Sequence, residues 1–187
     1  KLGFGDMLDA VIAHFPEPDI LDREDDTPRI AVVGKPNVGK SSLINRLCGK
    51  QRLIVSDIAG TTRDAVDTRV RFNKKDYIFV DTAGLRRKSR IQGDIERYSI
   101  VRAVAAVEKA EVVVLVIDGA EGVSEQDAKI AGIAHERGKA VIIAVNKWDA
   151  VEKDNHTMSD QIDRIHKTLY FMLYARIIFI SALTGQR

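Results

Sequence analysis

An open α/β sheet, mostly parallel and with helices on both faces, is the fold class this sequence predicts, and three observations predict it. Short apolar, β-branched runs alternate with amphipathic helical stretches from Arg29 onward. A glycine-bearing segment, Gly34-Lys35-Pro36-Asn37-Val38-Gly39-Lys40-Ser41-Ser42, sits directly between the first such run and the first helix. Short polar signatures then close three later apolar runs, at the strand ends where open α/β sheets hold their ligands.

Taken in order, Ile30-Ala31-Val32-Val33 forms the first strand and a helix follows over 40 to 48. Strands near 66 to 72 and 77 to 81 lie too close together for a crossover and read as an antiparallel hairpin. A helix from about 97 to 109, a strand over 112 to 117, a helix over 124 to 137, a strand over 140 to 145, a helix over 158 to 173 and a strand over 177 to 180 complete a six-stranded sheet. In the late helix Met158, Ile162, Ile165, Leu169 and Met172 recur at three- and four-residue steps, the stripe of a core-facing helix. Ahead of Arg29, Phe4, Met7, Leu8, Val11, Ile12 and Phe15 mark an amphipathic helix, and Pro16-Glu17-Pro18 with the acidic Asp22 to Asp26 reads as a linker. Residues 1–28 are thus expected to be an appendage and 29–187 a domain that stops before a last helix, with the N-terminal helix covering the sheet face left bare.

The glycine-bearing segment has the spacing that a phosphate-binding loop demands. Gly34 and Gly39 permit backbone angles that turn consecutive N–H groups inward, Lys40 reaches the outer phosphates, and the Ser41 hydroxyl can ligate magnesium. Lys35, Pro36, Val38 and Ser42 complete the cradle, and the positive end of the following helix adds to it.

The run Ala140 to Val145 ends in Asn146-Lys147-Trp148-Asp149, which reads as a guanine-binding signature. An Asp149 carboxylate accepts from both the ring N–H and the exocyclic amine of guanine, whereas adenine would turn a ring acceptor toward it. A polar site of this kind discriminates by roughly 10⁴ to 10⁵. The stem of Lys147 can lie along the base, while Asn146 ties this loop to the phosphate loop. Ser181-Ala182-Leu183, after the run Ile177 to Ile180, is expected to offer the Ala182 N–H to the guanine carbonyl.

The third signature is Asp81-Thr82-Ala83-Gly84. Asp81 would hold magnesium, through a water, and Gly84 would bring its N–H to the γ-phosphate. Upstream, Ala59-Gly60-Thr61-Thr62-Arg63-Asp64 supplies a threonine to the metal, with Thr62 favoured over Thr61. Both loops would order around GTP and relax after hydrolysis.

These stretches, together with Ala65-Val66-Asp67-Thr68, Leu85-Arg86-Arg87-Lys88, Glu96-Arg97-Tyr98-Ser99, Arg102-Ala103 and Ala150-Val151, carry a resemblance from about Arg29 to the end. The chain resembles the second G domain of the Der (EngA) family of bacterial double GTPases, relatives of Era and MnmE among the translation-factor-class P-loop GTPases. The resemblance implies a Ras-like P-loop NTPase fold, GTP hydrolysis with magnesium, and a role in assembly of the large ribosomal subunit. It also implies a preceding G domain and a C-terminal RNA-binding-like domain, with ribosomal RNA or a ribosomal subunit as partner of the longer protein. Catalytic roles would fall to Asn37, Lys40, Thr62 and Gly84. Where Ras-like enzymes place a water-orienting glutamine, this chain has Leu85, which makes no hydrogen bond through its side chain. Asn37 resembles the asparagine that helps ligate potassium in these relatives, and a potassium ion would supply charge where an arginine finger does. Arg63, Arg86 and Arg87 are other cationic candidates. Two other readings stand beside this one: an RNA-linked GTPase of the MnmE or Era kind, and a regulatory module that holds GDP with little turnover.

Composition narrows the rest. With 187 residues and 45% hydrophobic content the chain suffices for one full core. It has no run of about 18 apolar residues and no secretory leader, so no membrane partner and a cytoplasmic location are expected. A single cysteine, Cys48, cannot make an internal disulfide, and His14, His135, His156 and His166 lack metal-ligand spacing. A net charge of +2 does not call for nucleic acid, yet Arg86-Arg87-Lys88-Ser89-Arg90 would follow the nucleotide-sensing loop, as either a contact for RNA phosphates or a solvated surface.

Overall fold

The computed structural model describes residues 27–49, 56–59, 66–72, 74–82 and 95–185. In chain order these form β1 (Arg29–Val33), α1 (Lys40–Gly49), β2 (Ser56–Ala59), β3 (Val66–Phe72), β4 (Lys75–Phe79), α2 (Ile95–Lys109), β5 (Val112–Asp118), α3 (Glu125–Glu136), β6 (Ala140–Asn146), α4 (Thr157–Thr168) and β7 (Arg176–Phe179). Single 3₁₀ turns occupy Trp148–Ala150 and Tyr170–Met172.

One sheet runs in the order β2-β3-β4-β1-β5-β6-β7. β4, β1, β5, β6 and β7 are mutually parallel, while β2–β3 and β3–β4 are antiparallel. The six expected strands are all present, and β2 adds a seventh at the hairpin edge, pairing Ser56 to Arg69 through Ala59 to Val66. Ser56-Asp57-Ile58-Ala59 carries little apolar signal of its own; it becomes a strand because the hairpin offers it an open edge.

The central strands are buried on both faces, which explains why β5 and β6 read as unbroken apolar runs rather than alternating ones. Ala31, Val33, Leu115, Ile117, Ile143 and Val145 join α2, α3 and Ile165 of α4 on one face. Val32, Val116 and Ala144, one residue out of step, join Val38 and Ile44 on the other, beneath α1. The helix over 124 to 137 starts with a capping box: Ser124 Oγ accepts from the Asp127 N–H, and Asp127 accepts from the Ser124 N–H at 3.0 Å.

Three sequence expectations are corrected. The strand expected over 77 to 81 ends at Phe79, and Asp81 turns out of it at φ 52°. The helix expected over 158 to 173 ends at Thr168 and gives way to a 3₁₀ turn. Its stripe holds at Ile165, Leu169 and Met172, which are buried, but fails in the first turn, where Met158 is 48% exposed and Gln161 is 7% exposed. Helix phase is set by which residues meet the sheet, and a methionine in the first turn costs little on the wet side. Of the amphipathic helix and linker expected over residues 1–28, residues 1–26 lie outside the described residues, as do Thr61, Thr62, Gly84, Leu85 and the basic run Arg86 to Arg90. Among the described residues, no helix is long and apolar enough to cross a membrane.

Candidate functional site

Strand order reverses about β1, whose neighbours β4 and β5 lead to opposite edges, so the carboxyl end of β1 opens a crevice in the sheet. The loop of residues 34–39 fills that position. Gly34 sits at φ 137° and Gly39 at φ 97°, and a Cβ at Gly34 would stand 2.2 Å from the Val116 carbonyl oxygen. A Cβ at Gly39 would stand 2.2 Å from Asn146 Nδ2. Both positions therefore need glycine for space as well as for backbone angle. Val38, 2% exposed, pins the loop to the core beneath α1, and Asn37 is exposed at its tip at φ 65°, a conformation asparagine tolerates. Pro36 and Ser41 are half-buried and Ser42 is exposed.

Lys40, first residue of α1, turns back into this loop. Its Nζ donates to the Gly34 carbonyl at 2.8 Å and to the Lys35 carbonyl. Burial lowers its pKa from 10.5 to about 8, against a smaller opposing pull from Asp127. A cation that desolvated, facing neutral carbonyls, has unmet demand for an anion; a phosphate fits the donor set. Lys35 is instead held on the rim by Glu121 at 2.9 Å, a contact that raises its pKa.

Asn146 is 1% exposed and joins three loops. Its Nδ2 donates to the Val38 carbonyl at 2.8 Å, the tie expected between base and phosphate loops, and its Oδ1 accepts from the Ala182 N–H at 2.8 Å. That second bond corrects an expectation, because the Ala182 N–H is already satisfied inside the protein rather than waiting for a base carbonyl. Ser181 is 3% exposed and Leu183 79% exposed. Trp148 anchors the neighbouring turn through its N–H to the Ile180 carbonyl at 3.1 Å and a tilted ring contact with Phe179 at 4.4 Å. Asp149 projects from that turn, exposed.

Lys147 adopts φ 60°, and its Nζ lies 2.5 Å from Asp118 Oδ2. Asp118 ends β5 beside Asn146 and is 5% exposed. Its burial alone would raise the carboxyl pKa, but hydrogen bonds from Lys147 and the Ala120 N–H prevail and hold it below the ordinary value. Asp81 is placed from β3: its N–H donates to Asp67 Oδ1 at 3.0 Å, and the next residue, Thr82, shares a 2.7 Å hydroxyl contact with Thr68, both fully buried. Ser41 and Asp81 are the described oxygen donors that fit magnesium, alongside a nucleotide's own phosphates.

Sequence reasoning missed Asp118 and Arg46 as parts of this site. Asp118 did carry a signal, a carboxylate closing an apolar strand, whereas nothing local marks Arg46.

A parallel sheet of this order, with a glycine-framed loop at its switch strand and a lysine turned into that loop, defines a P-loop nucleotide-binding domain of the Ras-like α/β type. The chain belongs to the 50S ribosome-binding GTPase family, whose profile matches residues 29–147. It is similar to the GTPase Der of Lachnospira eligens, 65% identical over 187 residues, and to that of Agathobacter rectalis, 67% identical over 186 residues. The match takes in all of this chain but 42% of each relative's length. Among solved structures, Era in complex with MgGDPNP and nucleotides of 16S ribosomal RNA superposes with a TM-score of 0.62 at 32% identity, over 86% of this chain and 52% of Era's. A probable GTP-binding protein, engB, shares the fold with a TM-score of 0.56 at 24% identity, over 84% of this chain and 90% of its own.

Proposed function

We propose that this domain binds guanine nucleotides at the carboxyl end of its sheet and hydrolyses GTP to GDP and phosphate, as a switch within a longer protein that acts in large ribosomal subunit assembly. The observation that carries the reading is Asn146, which locks the base-reading strand end to a phosphate loop whose lysine faces inward. Gly34 to Ser42 bind the phosphates, Asn146, Lys147 and Asp149 the base, and Ser181 to Leu183 the base edge. Gly84 and Thr61 or Thr62 belong to the sensing loops. Magnesium would be held by Ser41, Thr62 and Asp81 and would neutralise charge on the β- and γ-phosphates. Asn37, exposed at the loop tip, suits a potassium ligand. The ribosomal role follows from family membership and the names of the relatives, and ribosomal RNA is the partner class they favour. Leu85 supports a second reading, a module that holds GDP with little turnover.

Steady-state hydrolysis at matched ionic strength in potassium and in sodium, with ATP as control, tests both. Faster GTP turnover in potassium alone is the expected result. Equal, very slow rates in both salts with intact GDP binding would replace it with the GDP-holding reading.

Lys40 makes a pH prediction. Phosphates favour its charged form, so its pKa rises on binding from about 8 and nucleotide binding takes up a proton above that pH. Affinity for GDP is expected to be flat below pH 8 and to fall above it, by at most about tenfold per unit. The free domain behaves oppositely: its folded-state pKa lies below the unfolded 10.5, so the unfolded chain binds more protons and stability rises with pH between about 8 and 10.5. Calorimetry at pH 7 and 8.5, in buffers of different ionisation enthalpy, reads the proton uptake, and Lys40→Arg should abolish it.

A further inference from the structure

Arg46 stands in the last turn of α1, the helix whose first residue is Lys40, and its side chain crosses to the loop after β7. The guanidinium donates from Nη1 to the carbonyls of Ala182 at 3.2 Å and Leu183 at 2.5 Å, and from Nη2 to that of Thr184 at 2.6 Å. Gly185 closes against the same group at φ 81°, where a Cβ would stand 2.1 Å from Nη2. The opposite side of the loop is satisfied separately. The Thr184 N–H donates to Ser181 Oγ at 3.0 Å and the Gly185 N–H to the Ser181 carbonyl at 2.8 Å. Ala182 is held from both sides, its N–H by Asn146 and its carbonyl by Arg46.

In a planar trans peptide the N–H and C=O point in opposite directions, and no described peptide is cis. Fixing three successive carbonyls toward Arg46 therefore aims the N–H groups of residues 183–185 away from it. Two of these turn back to Ser181, and none of the described residues accepts from the third, that of Leu183.

We propose that Arg46 is a positioning residue for base recognition: by gripping the carbonyls of residues 182–184 it aims the Leu183 N–H at the 6-carbonyl of a purine nucleotide. This rests on the guanine reading above and deepens it. One helix then serves both ends of the ligand, meeting the phosphates at Lys40 and setting the base reader at Arg46.

The test measures affinities of the full chain for GDP, 6-thio-GDP and IDP, with ADP as a control on the wild type, using wild type, Arg46→Ala, Arg46→Lys and Gly185→Ala, with thermal unfolding of each. Sulfur at position 6 is a poor acceptor, so the GDP to 6-thio-GDP ratio reports the loop. IDP lacks the 2-amine, so the GDP to IDP ratio reports Asp149. Arg46→Ala is expected to weaken GDP about tenfold, the worth of one well-placed hydrogen bond, and to bring the first ratio toward one while leaving the second unchanged. Gly185→Ala, which displaces the guanidinium from the other side, should do the same, and Arg46→Lys should recover part of the ratio. Should Arg46→Ala not fold, the other two variants carry the test. A wild-type 6-position ratio in the variants, including a uniform loss across all three nucleotides, overturns the proposal. Equal binding of GDP and ADP by the wild type would instead overturn the guanine reading itself.

Discussion

Asp149→Asn is expected to turn a guanine site into a xanthine site, shifting the relative preference for the two bases by roughly 10⁴. In the proposed pose the carboxylate would accept two hydrogen bonds from guanine. An amide presents a donor where the 2-amine also donates, leaving that edge of guanine opposed, whereas xanthine carries a carbonyl there. The structure explains why the change should act on recognition alone. Asp149 is exposed, on a turn held by the Trp148 N–H to Ile180, the Ala150 N–H to Lys147 and the Trp148–Phe179 contact, none of which uses the Asp149 side chain. Stability should therefore move by less than about 0.5 kcal/mol, the range of ordinary surface substitutions. Competition of labelled GDP by GDP and XDP reads the preference; a variant that still prefers GDP would remove Asp149 from the site.

The second large effect is structural. Asn146→Ala removes a side chain that is 1% exposed and bonded at 2.8 Å on both sides, leaving the Val38 carbonyl and the Ala182 N–H buried without partners. Each such group costs about 1–3 kcal/mol, so a loss of roughly 2–6 kcal/mol is expected. For a domain of this size that lowers Tm by on the order of 5–20 °C. Nucleotide affinity should fall with it, because the phosphate loop and base loop lose their common brace. Thermal unfolding with and without GDP measures both: Tm drops, and the rise produced by GDP shrinks. A Tm within 2 °C of wild type would mean that the brace contributes nothing.

The parts of this site that could be read from sequence are those whose requirement is local. Gly34 and Gly39 answer to backbone angle within one turn of chain, and they stand as expected at φ 137° and 97°, while Lys40 folds back on its own loop and its reach to the phosphates belongs to the proposal. Asn146 was legible because it closes a parallel strand, and position in the sheet dictates what it can touch. The alternation of apolar runs and helices follows from hydrophobic periodicity, again a short-range property, and six of seven strands were visible in it.

Tertiary structure decided the rest, in each case because the partner is distant in sequence. Arg46 meets residues 136 to 138 positions away, and no pattern around it announces three carbonyls. Lys147 finds Asp118 only because β5 and β6 lie side by side in register. Packing chose Gln161 over Met158 for the inner face of α4, and an open hairpin edge made a strand of Ser56–Ala59. Most telling is Ala182, whose N–H spacing alone assigned to a ligand and which the fold spent on Asn146. By itself the sequence marked the strand-end loops proposed to hold the ligand's phosphates and base, since glycine angles and strand ends are local facts. Which groups hold those readers in place was decided by the sheet, since only a closed core brings residues more than a hundred positions apart within hydrogen-bond distance.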